Sequence, residues 1–327
     1  MTLEAWLLVG IALAFDFFNG LHDSSNVVAT VISTRALSPR RALLLAAICE
    51  GVGPLIFGVA VATTIGHEVV SAEAVTIPVV YAALLAAIMW NVLTLLLGIP
   101  SSTSHALIGG IAGAVWAGYG LGALKASGFI KVVVALFFSP FIGLIAGYVI
   151  VKVIYVLVQG ASPRINRWFR RGQWITATTL ALSHGSNDAQ KTMGIITLGL
   201  VATGTLETFE VPLWVILSSA GAIAAGTLLG GWRLIRTLGA KFYRVRPVHG
   251  FGAQTASSAV ILSAALLGGP VSTTHVVSSA IVGAGSADRM RMVRWGVVDN
   301  IVQSWLLTIP AAMALGALLY SLLQYIL

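Results

Sequence analysis

The chain has 327 residues, a formal net charge of +8 and 57% hydrophobic residues. Only 9% of its residues are Asp, Glu, Lys or Arg, against roughly 25% in ordinary soluble domains. So few charges cannot cover the surface of a soluble fold of this length, which excludes soluble enzymes, nucleic-acid-binding proteins and disordered proteins. We therefore predict a protein that is embedded in a lipid bilayer. Because the sequence contains no Walker loop, dinucleotide-binding fingerprint or nucleophile elbow, we also predict that it is not an enzyme and needs no cofactor.

Ten hydrophobic segments follow one another along the chain. They cover residues 4–33, 42–66, 76–98, 101–119, 127–157, 174–203, 211–232, 248–268, 271–286 and 293–326. A helix of about 20 apolar residues crosses the bilayer, and several of these segments are too long or too polar in the middle to be one straight helix. The sequence therefore predicts an all-α membrane protein with about 10–12 transmembrane or half-membrane helices, including broken helices and re-entrant hairpins.

Two motifs occur twice in the sequence. Residues 19–23 (NGLHD) are similar to residues 184–188 (HGSND), and residues 100–105 (PSSTSH) are similar to residues 270–275 (PVSTTH). Each copy belongs to a half with five hydrophobic segments, and an odd number of segments reverses the second half in the membrane. Two halves of opposite orientation are typical of secondary transporters. The predicted organisation is repeat one at 1–160, a basic cytoplasmic linker at 161–173 and an inverted repeat two at 174–327.

The basic residues support this orientation. With the N-terminus outside, all of the 19 Lys and Arg residues except Lys125, Lys131 and Lys191 fall in connections on the cytoplasmic side. This is the positive-inside pattern of membrane proteins, so the net positive charge orients the chain and does not indicate nucleic-acid binding. We predict a multi-pass protein of the plasma membrane whose two termini are both extracellular or periplasmic.

Several carboxylates lie inside hydrophobic segments, namely Asp16, Asp23, Glu50 and Asp188. A charged group at the bilayer centre costs about 2.5–3.5 kcal/mol on insertion scales, so it persists where it pairs, binds an ion or relays protons. The polar stretches 19–26 and 183–191 predict an interruption of the helix at each site. Their carboxylate, amide and hydroxyl oxygens suit Na⁺, by analogy with other hard cations, but the same carboxylates can carry protons. A purely structural pair of Asp188 with Lys191 is the alternative.

The two Ser/Thr-rich turns offer hydrogen-bond donors, which suit an anion rather than a cation. Six hydroxyl side chains stand just after a proline-containing turn, at predicted helix N-termini: Ser102, Thr103, Ser104, Ser272, Thr273 and Thr274. The free N–H groups and the positive dipole end of a helix N-terminus favour an anion. Ordinary N-capping explains one such turn equally well, but two turns in corresponding positions favour an anion site, with the tips of two re-entrant hairpins meeting near the midplane.

At these residues the chain resembles the PiT family of inorganic phosphate transporters, in its bacterial and archaeal branch. The resemblance extends over essentially the whole chain and is carried by FNGLHDSSNVVATVISTRALSPR (18–40), GIPSSTSHALIGGIAGA (98–114), LSHGSNDAQKTMGIITL (182–198), residues 250–285 and RWGVVDNIVQSWLLTIPAA (294–312). It implies an inverted-repeat carrier that imports inorganic phosphate together with Na⁺ or H⁺, and it suggests a homodimer.

The resemblance also assigns roles to individual residues. It places cation coupling at Asp23, Asn26, Glu50, Asn187, Asp188 and Gln254, and phosphate binding at the two Ser/Thr turns. If sodium drives transport, the Na⁺ ligands would be Asp23, Asn26, Asn187 and Asp188. The chain departs from the family pattern at His22, where many members have Asn, and at Gln254, where many have Glu, so the number and kind of coupling ions stay open.

The sequence leaves alternatives open for both the substrate and the mode of transport. Phosphate near neutral pH carries a proton that a neighbouring carboxylate can accept, whereas sulfate carries none, so Asp23 and Asp188 favour phosphate. Sulfate or another tetrahedral oxyanion is the alternative substrate. A passive anion channel would need weak, multi-site binding along a continuous pore, which suits paired half-helix sites less well. A membrane scaffold or receptor would leave the buried carboxylates without a purpose.

Overall fold

Twelve α-helices build the chain in this computed structural model, which describes residues 1–326 apart from the side chains of residues 67, 68 and 72. The described residues form no β-sheet. The helices are α1 (Leu3–Ser33), α2 (Pro39–Phe57), α3 (Ala60–Glu68), α4 (Ile77–Leu97), α5 (Thr103–Tyr119), α6 (Ala126–Leu157), α7 (Ile165–Ala202), α8 (Leu213–Leu229), α9 (Trp232–Arg236), α10 (Pro247–Leu266), α11 (Thr273–Asp288) and α12 (Trp295–Leu323). This confirms the predicted all-α membrane class.

The order of helices in the first half of the chain recurs in the second. Long helices α1 and α7 open the two halves, bent pairs follow, and each half closes with a helical hairpin and a further long helix. The packing recurs as well, since α1 packs on α8 as α7 packs on α2, and α5 packs on α12 as α11 packs on α6. Residues 165–173, predicted as part of a linker, form the first turns of α7.

Four helices, α1, α4, α6 and α12, are long and apolar enough to cross a membrane. Two further candidates are bent pairs: α2 and α3 meet at 78°, and α8 and the segment Trp232–Lys241 meet at 61°. Glycines stand at both bends, and Gly58 and Gly230 have φ values of 79° and 73°, a backbone conformation that side chains with a Cβ disfavour. Broken helices, as predicted, are therefore part of the fold.

The breaks do not lie where the polar motifs predicted them. Helix α1 runs through residues 19–26 and helix α7 runs through residues 183–191 without interruption. The prediction assumed that a continuous helix would expose these polar side chains to lipid. They are instead buried inside the protein, where Asp23, Asn26 and Asp188 contact partners at the hairpin tips, and the backbone keeps its helical hydrogen bonds.

Two apolar cores lie on either side of a polar belt. The first half of α1, up to Phe15, packs in one core, and Val27–Val31 of the same helix pack in the other. Helix α7 passes in the opposite order, with Leu180 in the second core and Met193 in the first. The polar residues between these points therefore occupy the middle of the molecule, where the two cores exclude water and lipid.

Glycines allow the central helices to cross at close range. A Cβ added at Gly20 of α1 would meet the backbone carbonyl of Ile223 in α8, and one added at Gly226 of α8 would meet that of Phe17 in α1. At the equivalent crossing of α2 and α7, a Cβ at Gly185 would meet the backbone of Glu50. Small residues at helix contacts are typical of membrane bundles, and here they bring four helices around the polar belt.

The outer faces of α6 and α12 are apolar and unpacked. Phe138 and Phe141 are 62% and 65% exposed, and Leu306 and Leu307 of α12 are 57% and 58% exposed. Such a surface carries a large hydrophobic penalty in water, as expected of a multi-pass membrane protein.

Candidate functional site

The polar belt is built from the middle turns of α1 and α7. Asp23 and Asn26 on α1, with His184, Asp188 and Lys191 on α7, are all buried to within 2% exposure. Both helices carry their aspartate opposite the tips of the two helical hairpins, α4–α5 and α10–α11. The site therefore joins residues that lie far apart in the sequence.

The hairpin tips present their hydroxyl groups at the start of α5 and of α11. Ser102 and Ser272 are N-caps: each hydroxyl accepts a hydrogen bond from the backbone N–H three residues later, at His105 (3.1 Å) and His275 (3.2 Å). One serine in each turn is therefore an ordinary N-cap, which was one of the two explanations that the sequence offered for these turns. The remaining hydroxyls are free to face the belt.

Tryptophans and hydroxyls hold the first tip in place. Trp90 Nε1 donates to Ser101 Oγ (2.9 Å), Ser101 Oγ lies 2.8 Å from Thr308 Oγ1, and Trp305 Nε1 donates to the Pro100 carbonyl (3.1 Å). These contacts tie the tip to α4 and to α12. A tip held from two sides positions the following hydroxyls without a large loss of entropy on binding.

The carboxylate of Asp23 is the point where the two tips meet. It accepts hydrogen bonds from Thr273 (3.3 Å) and Thr274 (3.1 Å) of the second turn and from Thr103 (3.4 Å) of the first. His22 Nδ1 lies 2.7 Å from its other side, at Oδ1. Donors from two hairpins thus converge on one anionic group, which shows that the turns can surround an anion.

His184 connects the carboxylates of α1, α2 and α7. Its Nδ1 lies 3.1 Å from Glu50 Oε1, and its Nε2 lies 3.3 Å from Asp188 Oδ2 and 3.9 Å from Asp23 Oδ2. Thr227 of α8 donates a short hydrogen bond to the other oxygen of Glu50. Thr273 Oγ1 lies 3.0 Å from Asp188 Oδ2 as well as 3.3 Å from Asp23 Oδ2, so its one hydroxyl proton can serve either carboxylate, and polar contacts extend from Glu50 to the second turn.

Three carboxylates and one lysine set the charge of this network. Asp23, Glu50 and Asp188 are fully buried, and Lys191 makes an ion pair with Asp188. Like charges repel strongly in a medium of low dielectric constant. Unless protons or protonated histidines neutralise it, the network is therefore net negative and attracts cations.

The belt contains ligand atoms for a cation. One ligand atom each of Asp23, His184 and Asp188 lies within 4.8 Å of the other two. The amide oxygens of Asn26 and Asn187 are buried and accept no hydrogen bond from the described residues. Carboxylate and amide oxygens are the ligands that hard cations prefer, so the residues present fit a small cation such as Na⁺ as cargo.

Known proteins are similar to this chain over almost its whole length. The phosphate transporter family matches residues 19–316, a range that contains both aspartate motifs and both Ser/Thr turns. The chain belongs to this family. Two relatives, each a probable low-affinity inorganic phosphate transporter, come from Rhizobium meliloti and Bacillus subtilis. Both are 44% identical to this chain, and each alignment covers 98% of this chain and 97% of the relative.

More distant relatives also align over the whole chain. A putative phosphate permease of Thermococcus kodakarensis is 28% identical, with 99% of each chain covered. A solved structure described as the sodium-dependent phosphate transporter superposes with a TM-score of 0.91 at 25% identity and covers 100% of both chains. These similarities confirm the resemblance to the PiT family and the prediction of a transporter that is not an enzyme.

In this family member, the structure brings most of the residues singled out from the sequence together. Asp23, Asp188, Glu50 and the residues of the two turns share one network, and Asn26 Nδ2 donates to Thr274 Oγ1 (3.0 Å). Asn187 lies beside the second tip, where its Nδ2 donates to the Gly269 carbonyl (3.3 Å). Their assignment to phosphate or cation remains a prediction.

Gln254 takes a different position. Its Oε1 accepts from Thr176 Oγ1 (2.5 Å), and its Nε2 donates to Thr30 Oγ1 (2.7 Å). Both partners lie nearer the ends of α7 and α1 than the aspartates do, so Gln254 links the two helices on one side of the belt. A neutral amide with both ends satisfied acts here as a bridge between helices.

Sequence reasoning missed the roles of His184 and Thr227. His184 was visible as a buried histidine beside the repeated aspartate motif, but nothing in the sequence showed that it would reach Glu50. Thr227 lies in an ordinary apolar segment, and its contact with Glu50 depends on the crossing of α2 and α8. Only the fold reveals it.

Proposed function

We propose that this member of the phosphate transporter family imports inorganic phosphate across the plasma membrane by symport with a cation. The observation that carries the proposal is the convergence of hydroxyls from two helix N-termini on Asp23 and Asp188. Phosphate would take these hydroxyls together with the free N–H groups of the first turns of α5 and α11. Protein partners are not needed for this step, although a homodimer fits the family resemblance.

The same contacts suggest how phosphate and cation binding are coupled. Thr273 and Thr274 donate to Asp23 in this conformation, and a hydroxyl has only one proton to donate. If the two hydroxyls donate their hydrogen bonds to phosphate instead, the Asp23 carboxylate loses these two donors inside a belt that excludes water. A buried carboxylate without donors is strongly destabilised, so Na⁺ or a proton must replace them. Either ion would thus bind together with phosphate.

The position of the site fits alternating access. The site lies between two halves with the same order of helices, and the two apolar cores on either side can close it in turn. We infer that the halves are inverted repeats with both termini on the outer side, as the distribution of basic residues indicates. A carrier of this kind moves its substrate by exposing one site to each side alternately.

Uptake of ³²P-phosphate into proteoliposomes tests the proposal. Inward Na⁺ and pH gradients are imposed separately, and sulfate is added as a competitor. We expect concentrative uptake that follows one of the two gradients and that sulfate inhibits weakly, because sulfate brings no proton to Asp23 and Asp188. Equal competition by sulfate would indicate a general oxyanion permease.

Counterflow separates a carrier from a channel. Proteoliposomes preloaded with unlabelled phosphate should take up labelled phosphate faster and transiently above equilibrium, because one site is exposed alternately to the two sides. A channel shows no such trans-stimulation, so uptake that is indifferent to internal phosphate contradicts alternating access.

A further inference from the structure

Asn26 and Lys191 occupy corresponding places in the two halves of the molecule. Each follows its aspartate by three positions, in the motifs that start at Asp23 and Asp188. Each also reaches the last hydroxyl residue of the opposite turn: Asn26 Nδ2 donates to Thr274 Oγ1 (3.0 Å), and Lys191 Nζ donates to Ser104 Oγ (2.6 Å). The two places share their geometry but differ in charge, since one holds an amide and the other an ammonium group.

The ammonium group of Lys191 is surrounded by oxygen atoms. Besides Ser104 Oγ, it donates to Asp188 Oδ1 and to the backbone carbonyl of Val271 (3.1 Å). A lysine has three N–H donors, so each has a partner. A carboxylate, a hydroxyl and a backbone carbonyl form the kind of oxygen set that also binds a small hard cation.

Burial makes this arrangement exclusive. Lys191 is 2% exposed and Asp188 is fully buried, and separating such a pair would leave an uncompensated charge in a medium of low dielectric constant. A mobile cation at Asp188 would have to displace the ammonium group or bind beside it against its repulsion.

We propose that Lys191 is a tethered cation that fills the coordination position at Asp188 in place of a dissociable ion. It thereby sets the ion requirement of the transporter: a dissociable Na⁺ binds at Asp23, where Asn26 offers an unpaired amide oxygen, and none binds at the Asp188 Oδ1 position that the ammonium group fills, although Asn187 beside Asp188 also has an unpaired amide oxygen. This inference rests on the proposed cation symport and names the residue that limits its ion stoichiometry. A merely structural ion pair would have no influence on the response to Na⁺.

Lys191→Asn tests the proposal because it copies the residue that stands at position 26. The purified variant is titrated with NaCl in detergent, with choline chloride keeping the ionic strength constant, and its Tm is recorded. We expect a saturable rise in Tm with Na⁺ that exceeds any rise in the unsubstituted protein, because a ligand that binds the native state stabilises it. A folded Lys191→Asn protein with no added Na⁺ response overturns the proposal.

Two controls show where the new ion binds. Lys191→Arg keeps a tethered cation and should gain no response to Na⁺. Lys191→Asn combined with Asp188→Asn removes the carboxylate and should lose the response again. A Na⁺ response that survives in this double variant contradicts a site at Asp188.

A second measurement keeps the lysine in place and applies even if Lys191→Asn does not fold. In the Asp23→Asn variant, with Lys191 intact, the proposal leaves no site for Na⁺, so the Tm should not respond to Na⁺ in a saturable way. Retained saturable binding of Na⁺ would show that Asp188 accepts a dissociable ion despite the lysine. Both measurements report ion binding alone, whereas phosphate counterflow on the unsubstituted protein reports separately whether the proposed transport function is correct.

Discussion

Asp23 accepts hydrogen bonds from hydroxyl groups of both hairpin tips, so this single residue connects the two tips. The donors that hold the carboxylate are the same hydroxyls that an anion would need. In the proposed mechanism, competition for a few hydroxyl protons at one carboxylate links phosphate binding to cation binding without any long-range communication. Substitutions of Asp23 and of its hydroxyl donors should therefore separate phosphate binding from coupling to the cation.

Replacing Asp23 should damage coupling before it damages the fold. Asp23→Asn nearly preserves volume, but an amide offers only a neutral dipole to a cation that must shed water in a low-dielectric site. We expect normal membrane insertion and loss of cation-dependent phosphate accumulation in proteoliposomes. Asp299→Asn, on the exposed start of α12, is the matched control and should transport normally. An Asp23→Asn protein that concentrates phosphate with unchanged ion dependence excludes Asp23 from coupling.

Removing a hydroxyl from each turn should weaken phosphate binding. Thr103→Val and Thr273→Val keep the shape of the side chain, and each lost hydrogen bond to a charged anion is worth about 1.5–3 kcal/mol. The phosphate concentration for half-maximal uptake should rise accordingly. Thr178→Val, whose hydroxyl donates to the Trp174 carbonyl one turn earlier, is the control. Unchanged phosphate affinity in both turn variants would remove the turns from the site.

We expect Glu50 to affect the rate of phosphate uptake through its contact with His184. Glu50→Gln keeps the size of the side chain but removes the charge that faces His184 Nδ1 at 3.1 Å, so the imidazole loses its partner opposite Asp188. We expect slower phosphate uptake with little change in Tm, measured on the same preparation. A large fall in Tm with an unchanged specific uptake rate of the folded fraction would instead make Glu50 a structural residue.

At the scale of the helices, close crossings place the site. Helices α1 and α8 touch through glycines on both sides, and α2 and α7 do the same at the equivalent crossing. These contacts bring Thr227 to Glu50 and keep Asp23 within reach of the hairpin tips. The two close crossings are therefore needed both for the polar network and for the stability of the fold.

Gly20→Ala should disturb this crossing. The new Cβ would meet the Ile223 carbonyl, and overpacking of a close contact costs about 1–3 kcal/mol, so the Tm should fall. Gly10→Ala on the same helix has no atom within 4 Å of the new Cβ and should leave the Tm unchanged or slightly raised, because Ala favours helix over Gly. Equal Tm values for the two variants would show that the α1–α8 crossing is not tight.

At the scale of the whole molecule, orientation follows from charge. The basic connections and the basic start of α7 should lie in the cytoplasm, and both termini outside. In a Cys49→Ser background, an impermeant thiol reagent added to intact cells should label Thr208→Cys and spare Arg167→Cys, two exposed positions at opposite ends of α7. Labelling of position 167 from outside would overturn this topology.

The sequence by itself determined the class and the approximate number of helices, and it singled out most residues of the buried polar network. Composition alone required a bilayer, because too few charges were present to cover a soluble surface. The repeated aspartate motifs and Ser/Thr turns named Asp23, Asp188, Thr103 and Thr273 without a structure, since polar groups in apolar segments stand out against a uniform background.

Only the tertiary structure decided how these residues meet. The sequence predicted broken helices at residues 19–26 and 183–191, yet α1 and α7 are continuous there, because the polar side chains are buried between neighbouring helices and are not exposed to lipid. It left Asp188 open to a structural pair or to a coupling ion, and it gave no reason to connect His184 with Glu50. Contacts between distant segments depend on how helices cross, and local pattern carries no information on that geometry.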